Sequence, residues 1–179
     1  MKVLIDACVL YPTVLREIVL LTASKGAFTP VWSSRILEEW RRAALKHDGG
    51  RIAEVEIESA SALFPTALSE PTEATEARLS LPDSNDVHVL AAAIDGEAGE
   101  ILTLNLKDFP SRTLAREDII PRHPDGFLLE VFHRDPSMMR GVIDAVLSKA
   151  ASHGIDVSNP RALLKRARLP KLAKAVYAS

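Results

Sequence analysis

Long apolar runs and paired cysteines are both missing from this chain of 179 residues. No apolar run approaches the roughly 18 residues that a membrane-spanning helix requires, and the apolar run at residues 3–5 is followed directly by an acid. The N-terminal segment also lacks the long apolar stretch of a secretory signal peptide. We therefore expect a protein that does not enter a membrane and is not secreted.

A single cysteine, Cys8, leaves the chain without a partner for an internal disulfide bond. A lone thiol fits a reducing compartment, so we expect a cytoplasmic location. Hydrophobic residues make up 47% of the sequence and charged residues 26%, which excludes the disordered and fibrous classes. This length suits one globular domain of typical size, with room for an appendage.

Charge is distributed unevenly along the chain, although the net charge at pH 7 is only −2. The first 156 residues carry 16 basic and 24 acidic residues, so their net charge is −8. Residues 157–179 contain no acid and six bases, which are Arg161, Lys165, Arg166, Arg168, Lys171 and Lys174. An acidic body with a basic tail predicts separate roles for the two ends of the chain.

Short apolar segments, typical of buried strands, cover residues 2–6, 28–32 and 100–105. Segments with helical spacing of their apolar residues separate these strands along the chain. Short strands that alternate with helices predict an α/β fold, in which a parallel sheet is flanked by helices.

The clearest helix in the sequence begins near Asp83 or Ser84 and ends at Gly96. The acidic segment 70–76 is rich in threonine and proline, and it predicts a loop with a weakly specified strand or turn.

Strand patterns end after Pro124, and the remaining sequence has only helical patterns. They cover residues 127–132, 137–152 and 160–176. We therefore predict one domain over residues 1–124 and a helical C-terminal extension, which carries the basic tail, over residues 125–179.

Acidic and amide side chains occur in four separate segments of the chain, at the ends of predicted strands, within a predicted helix and at the start of another. Because ligands of an open parallel sheet bind beyond the carboxyl ends of its strands, we expect Asp6 and Asn105 to lie there. Asp83 and Asp86, three residues apart at a helix start, can share one face. Converging carboxylates repel one another unless a cation neutralises them, and oxygen ligands without histidine or cysteine favour Mg²⁺ or Mn²⁺. The full set is Asp6, Glu38, Glu39, Asp83, Asp86, Asn105 and Asp108.

Each of these residues also has a purely structural interpretation. Asp83 and Asp86 resemble a helix-capping pair, and residues 105–108 resemble a simple turn. Glu38 or Glu39 taken alone fits the solvated face of a helix. The histidines His88 and His133 are expected to be surface or packing residues rather than metal ligands.

Two other enzyme classes are excluded by the turn after the first strand. A dinucleotide-binding protein needs a glycine-rich turn there, and residues 8–12 contain no glycine. A haloacid-dehalogenase-like phosphatase needs a second aspartate two residues after Asp6, where this chain has Cys8.

The four segments together resemble the PIN domain, and within it the VapC-like toxins of bacterial toxin–antitoxin pairs. The resemblance covers about residues 1–122 and implies an α/β/α sandwich with a short central parallel sheet and metal-dependent ribonuclease activity. Its motifs are Met1-Lys-Val-Leu-Ile-Asp6-Ala-Cys-Val-Leu, Ile36-Leu-Glu-Glu39-Trp, Asp83-Ser-Asn-Asp86-Val-His-Val-Leu-Ala-Ala-Ala and Leu102-Thr-Leu-Asn105-Leu-Lys-Asp108-Phe.

Carried over by position, the resemblance assigns roles to individual residues. It implies that Asp6, Glu39 and Asp86, with Asp83, hold Mg²⁺ or Mn²⁺, and that Asn105 and Asp108 join the first three in catalysis. Glu39 fits the second motif better than Glu38 because it directly precedes the large apolar residue Trp40.

The chain departs from the family pattern in two places. Ala7 and Cys8 follow the first aspartate where many relatives have a hydroxyl or amide side chain. Asn105 stands where many PIN nucleases have aspartate, so the site could hold one ion or two.

The resemblance also implies partners. It predicts an RNA substrate, a small antitoxin protein of a type II toxin–antitoxin pair and a homodimer. The tail bases Arg161, Lys165, Arg166 and Arg168 fit contacts with RNA phosphates, a dock for a partner protein or a solvated face. A rival hypothesis is a catalytically inactive PIN-like module that binds RNA or protein, but all four acidic segments are present, which favours the enzyme.

Overall fold

The computed structural model describes residues 1–46 and 50–178 and divides the chain into two compact units. The first unit comprises Met1–Tyr11 and Phe28–Arg122, and the second comprises Pro12–Ala27 and His123–Ser179. The second unit thus takes a segment from near the N-terminus in addition to the C-terminal helices. The division into domains at residues 124 and 125 stays a prediction.

A sheet of four parallel strands forms the centre of the first unit. The strands are Lys2–Ile5 (β1), Thr29–Val31 (β2), Glu100–Leu102 (β3) and Ile120–Arg122 (β4), in the spatial order β2-β1-β3-β4. This topology confirms the predicted α/β class, with a parallel sheet and a helical C-terminal region. The strand β4 was not predicted, because it has only three residues and one of them, Pro121, is tolerated mainly on an edge strand.

The two central strands are almost entirely apolar and buried. Val3, Leu4 and Ile5 of β1 are fully buried, as are Ile101 and Leu102 of β3. Continuous apolar runs of this kind are typical of parallel strands that are covered on both faces. Each such side chain contributes roughly 1.5–3 kcal/mol through burial, so these short strands are held mainly by their side chains.

The helices of the first unit follow the strands in alternation. They are Ala7–Leu10 (α1), Ser34–Leu45 (α3), Gly50–Leu63 (α4), Glu73–Ala77 (α5), Val87–Asp95 (α6) and Ser111–Leu114 (α7), with short 3-10 turns at Ser84–Asp86, Leu106–Asp108 and Ala115–Glu117. The predicted central helix therefore begins as a 3-10 turn at Ser84 and continues as α6.

The helix α5 corrects the prediction of a loop, strand or turn at residues 70–76. Thr72 caps α5 by accepting a hydrogen bond at its hydroxyl from the backbone N–H of Thr75. The carboxylate of Asp95, at the end of α6, accepts further hydrogen bonds from the Thr72 backbone N–H and the Thr75 hydroxyl. These two contacts span 23 and 20 residues of sequence, and local propensity does not reveal them.

The second unit is entirely helical in its described residues. Its helices are Thr13–Ser24 (α2), Pro124–Arg134 (α8), Pro136–Ser152 (α9), Pro160–Arg166 (α10) and Pro170–Val176 (α11). The predicted helical segment 160–176 is therefore two helices. The break follows from Arg168, whose φ of 65° is left-handed, and from Pro170, which begins α11.

The basic tail is an integral part of the second unit. Leu164, Leu169 and Leu172 are fully buried, and α11 packs against α8. The buried carboxylate of Asp125 in α8 accepts hydrogen bonds at 2.9 Å from the backbone N–H groups of Lys171 and Leu172. The tail is thus amphipathic, because its leucines are buried while its six basic side chains are exposed.

None of the helices that the structure describes is both long and apolar enough to span a membrane.

Candidate active site

The first aspartate of the predicted site lies where the two central strands end. Ile5 of β1 pairs with Leu102 of β3, so the next residues, Asp6 and Thr103, are neighbours at the carboxyl edge of the sheet. The Thr103 hydroxyl donates a hydrogen bond of 2.7 Å to Asp6 Oδ2. Asp6 is only 7% exposed, and a buried carboxylate is costly without such donors. Thr103 therefore holds Asp6 in place.

Cys8 supplies a second donor to the same carboxylate. Its Sγ donates to Asp6 Oδ2 at 3.0 Å and accepts from the backbone N–H of Leu104 at 3.2 Å. Burial, and then the negative charge of Asp6, raise the pKa of the Cys8 thiol above its usual range. The group therefore stays a neutral thiol that donates a second hydrogen bond to the Asp6 carboxylate.

Asp86 lies among the other acids. Its pKa is raised to about 6, first by burial and then by the negative charges of Asp6, Asp83 and Asp108, while His88 opposes the shift. Asp6, Asp83 and Asp108 thus lie near enough to Asp86 for their charges to act on it, although they come from three separated segments of the chain. The assignment of these residues to one functional site stays a prediction.

Asp83 and Asn105 also have local structural roles. Asp83 Oδ1 accepts a hydrogen bond of 2.9 Å from the Asn85 backbone N–H and so caps the 3-10 turn that precedes α6. Asn105 is exposed and precedes the next 3-10 turn, and its backbone N–H donates to the Thr103 hydroxyl at 3.0 Å. Its backbone oxygen accepts from the Asp108 N–H at 3.0 Å, so Thr103, Asn105 and Asp108 form one linked turn.

The two adjacent glutamates of α3 have different partners. Glu38 pairs with Arg41 and Arg42 of its own helix at 2.7 Å each, and these hydrogen bonds lower its pKa to about 2. Glu39 Oε1 lies 2.9 Å from His88 Nε2 of α6 and 3.5 Å from Arg35 Nε. Glu39, and not Glu38, therefore faces the helix that follows Asp86.

Two residues of this site were not identified from the sequence. Thr103 could have been found, because it lies two residues before Asn105, directly after a buried strand. His88 was expected to be a surface or packing residue. It is indeed buried, at 2% exposure, but it also pairs with Glu39 across two helices.

The chemistry of this donor set fits a divalent cation. Within residues 1–46 and 50–178, no three histidine, cysteine, aspartate or glutamate side chains are grouped tightly enough to hold a metal ion. The charges of Asp6, Asp83 and Asp108 nevertheless act on Asp86 and, after burial, raise its pKa. Hard oxygen donors with an excess of negative charge are the ligands that Mg²⁺ and Mn²⁺ prefer.

Replacing Asp86 with asparagine is expected to stabilise the metal-free protein at neutral pH. The folded-state pKa of about 6 exceeds the ordinary value of 3.8, so the folded protein binds this proton more tightly than the unfolded chain. The ionised Asp86 carboxylate therefore lowers the free energy of unfolding. This loss of stability is absent below about pH 4, grows as the pH rises and is complete above about pH 6. Because Asp86 is only partly buried, solvent screening limits the gain to about 1 kcal/mol.

Urea unfolding in the presence of EDTA measures this effect at acidic and at neutral pH. The exposed Asp118, replaced by asparagine, is the matched control and should change stability equally little at both pH values. A gain from Asp86→Asn that is the same at both pH values would show that the carboxyl is not perturbed.

The sheet, with acidic residues at the carboxyl end of its central strands, defines an α/β domain. The family model described as PIN domain matches residues 2–107, which is more than half of the chain. This chain belongs to the PIN-domain family. The resemblance to PIN domains is thereby confirmed, and the match to a curated relative supports the VapC-like branch.

A curated relative supports the same assignment. The chain is 39% identical over 66 residues to the protein named "Putative ribonuclease VapC50" of Mycobacterium tuberculosis (strain ATCC 25618 / H37Rv). The match covers 35% of this chain and 39% of the relative, so it spans about two fifths of the relative's length. No solved structure matches the chain significantly.

Proposed function

We propose that this chain is a metal-dependent endoribonuclease that hydrolyses RNA phosphodiesters, and that it is the toxin of a type II toxin–antitoxin pair. The observation that carries the proposal is the cluster of Asp6, Asp83, Asp86 and Asp108, in which the charges of the other three acids act on Asp86. Membership of the PIN-domain family and the name of the relative, a ribonuclease, support the same function.

Asp6, Asp83, Asp86 and Glu39 are the residues that would hold Mg²⁺ or Mn²⁺. When bound, such an ion lowers the pKa of a water molecule and stabilises negative charge on a phosphodiester. Asn105 and Asp108 complete the catalytic set on the turn that follows β3. Since Asn105 is a neutral amide, this side of the site offers less negative charge than an aspartate would.

The protein contributes a carboxylate of fixed orientation to this site. Thr103 and Cys8 donate to one oxygen of Asp6, and these donors orient the carboxylate and compensate for its burial. Burial, and then the charges of Asp6, Asp83 and Asp108, raise the pKa of Asp86. A divalent cation held by these residues would relieve the repulsion among their charges.

The exposed tail bases Arg161, Lys165, Arg166 and Arg168 are proposed to contact RNA phosphates. A protein with a net charge of −8 over its first 156 residues would otherwise repel the RNA backbone. The antitoxin partner, the homodimer and the cytoplasmic location stay predictions of the sequence.

Purified protein is expected to cleave single-stranded RNA internally when Mg²⁺ or Mn²⁺ is present and to stop when EDTA removes the ion. End-labelled RNA resolved on a denaturing gel measures this activity. The Asp6→Asn variant, purified in the same way, controls for contaminating nucleases, because only contaminants would cleave in that preparation.

Three results would contradict the proposal. Cleavage that continues in EDTA would exclude a metal-dependent site. Equal cleavage by Asp6→Asn would assign the activity elsewhere, and an inactive protein that still binds RNA would favour the non-catalytic binding module.

A further inference from the structure

Two helices of the first unit are joined at the Glu39 carboxylate. Glu39 lies on α3, and His88 lies on α6, two residues after Asp86. His88 Nε2 is 2.9 Å from Glu39 Oε1, and Arg35 of α3 approaches the same oxygen at 3.5 Å. Arg35 also donates to the backbone oxygen of Asn85 at 3.4 Å, so α3 contacts the segment that carries Asp83 and Asp86 at two points.

The two ring nitrogens of His88 are buried without hydrogen-bond partners in the described residues. The ring is almost fully buried, and in the described part of the chain neither of its nitrogens has a hydrogen-bond partner of good geometry. The two side chains are close in distance although the N–H direction is not aligned, so they form a packed polar contact rather than a hydrogen bond. Burying an imidazole with no other partner costs folding free energy, and a leucine at this position would avoid that cost.

We infer that His88 is a positioning residue, which holds the Glu39 carboxylate of α3 toward the start of α6, where Asp86 lies. This inference rests on the proposed function, because it assigns His88 a role in building the cation site. Metal-ligating carboxylates commonly depend on such supporting contacts, and their loss costs roughly 10–100-fold in metal affinity. His88 acts here through Glu39 and touches neither RNA nor the ion.

The experiment measures Mn²⁺ binding to the metal-free protein by titration calorimetry, without RNA and without turnover. His88→Leu fills the space but removes the contact, and we expect it to weaken Mn²⁺ binding by roughly 10-fold or more. His88→Gln places an amide near the position of Nε2 and should lose much less. His88→Asn is too short to reach Glu39 and should behave like His88→Leu. The exposed His133, replaced by leucine, is the control and should bind Mn²⁺ like the wild type.

A double-mutant cycle separates positioning from packing. In a Glu39→Gln background, His88→Leu should have no further effect on Mn²⁺ affinity, because the group through which it acts is already changed. Additive effects of the two substitutions would overturn the inference, as would unchanged Mn²⁺ affinity in folded His88→Leu. If His88→Leu does not fold, the comparison of His88→Gln with His88→Asn decides, and equal affinities for that pair would refute the role.

Failure of this inference is distinguishable from failure of the proposed function. Wild-type protein that binds no Mn²⁺ and cleaves no RNA would refute the proposed function itself. Wild-type protein that binds Mn²⁺ and cleaves, together with a folded His88→Leu variant of equal affinity, would refute only the role of His88.

Discussion

Replacing Asp6 with asparagine is expected to reduce RNA cleavage by roughly 100-fold or more while the protein remains folded. The substitution removes one negative charge from the acidic cluster that is proposed to hold a cation. Folding should survive, because the asparagine oxygen can still accept the hydrogen bond from the Thr103 hydroxyl. Repulsion on Asp86 also falls, so the metal-free variant should be no less stable than the wild type.

Initial rates of RNA cleavage in saturating Mn²⁺ and the thermal midpoint in EDTA test the two halves of this expectation. Asp118→Asn makes the same chemical change at an exposed position of the same unit and should leave the rate unchanged. Near-wild-type cleavage by Asp6→Asn would remove Asp6 from the active site. A loss of cleavage together with a collapsed thermal midpoint would mean that Asp6 is required for folding rather than for chemistry.

The carboxyl edge of the sheet could be predicted from the sequence, because the signal there is local. Apolar residues run without interruption to Ile5 and Leu102, and the polar residues that follow must lie at the end of a strand. Parallel pairing then places Asp6 beside the segment after β3 without knowledge of any side-chain contact. Four of the predicted acids are accordingly close in the structure.

Contacts between distant segments could not be predicted in the same way. Thr103 binds Asp6 across 97 residues of sequence, and His88 meets Glu39 only because α3 and α6 pack in one unit. The helix α5 likewise depends on Asp95, and the edge strand β4 on pairing with β3. The residues of these pairs can be read from a single sequence, but the distance between them in the fold cannot.

The charge pattern identified the basic tail, but it did not show that the tail also packs into the second unit. The sequence predicted a basic tail over residues 157–179 with a role separate from that of the acidic body. In the structure, Leu164, Leu169 and Leu172 are buried, and removal of the tail would leave the buried Asp125 without its two N–H donors. Truncation would therefore damage the second unit, and substitution of the exposed bases is the better test.

Replacing Arg161, Lys165, Arg166 and Arg168 together with glutamine is expected to weaken RNA binding and to make it less dependent on salt. Each lost phosphate contact on a single strand should reduce the slope of log affinity against log salt by about 0.7, so four contacts would reduce it by roughly 3. All four side chains are exposed, and their replacement leaves the buried leucines of α10 and α11 in place. Binding is measured with single-stranded RNA in the Asp6→Asn background, so that cleavage does not interfere.

The control variant has the same change in net charge, but its substitutions lie outside the tail. Glutamine at the exposed Lys25, Lys46, Arg116 and Arg134 also removes four positive charges, but it leaves the tail intact. If the tail contacts RNA, this variant should keep a slope close to that of the parent, because dispersed charges release few counterions on binding. Equal losses for both variants would indicate a general effect of net charge, and an unchanged slope in the tail variant would assign these bases to solubility or to a protein partner.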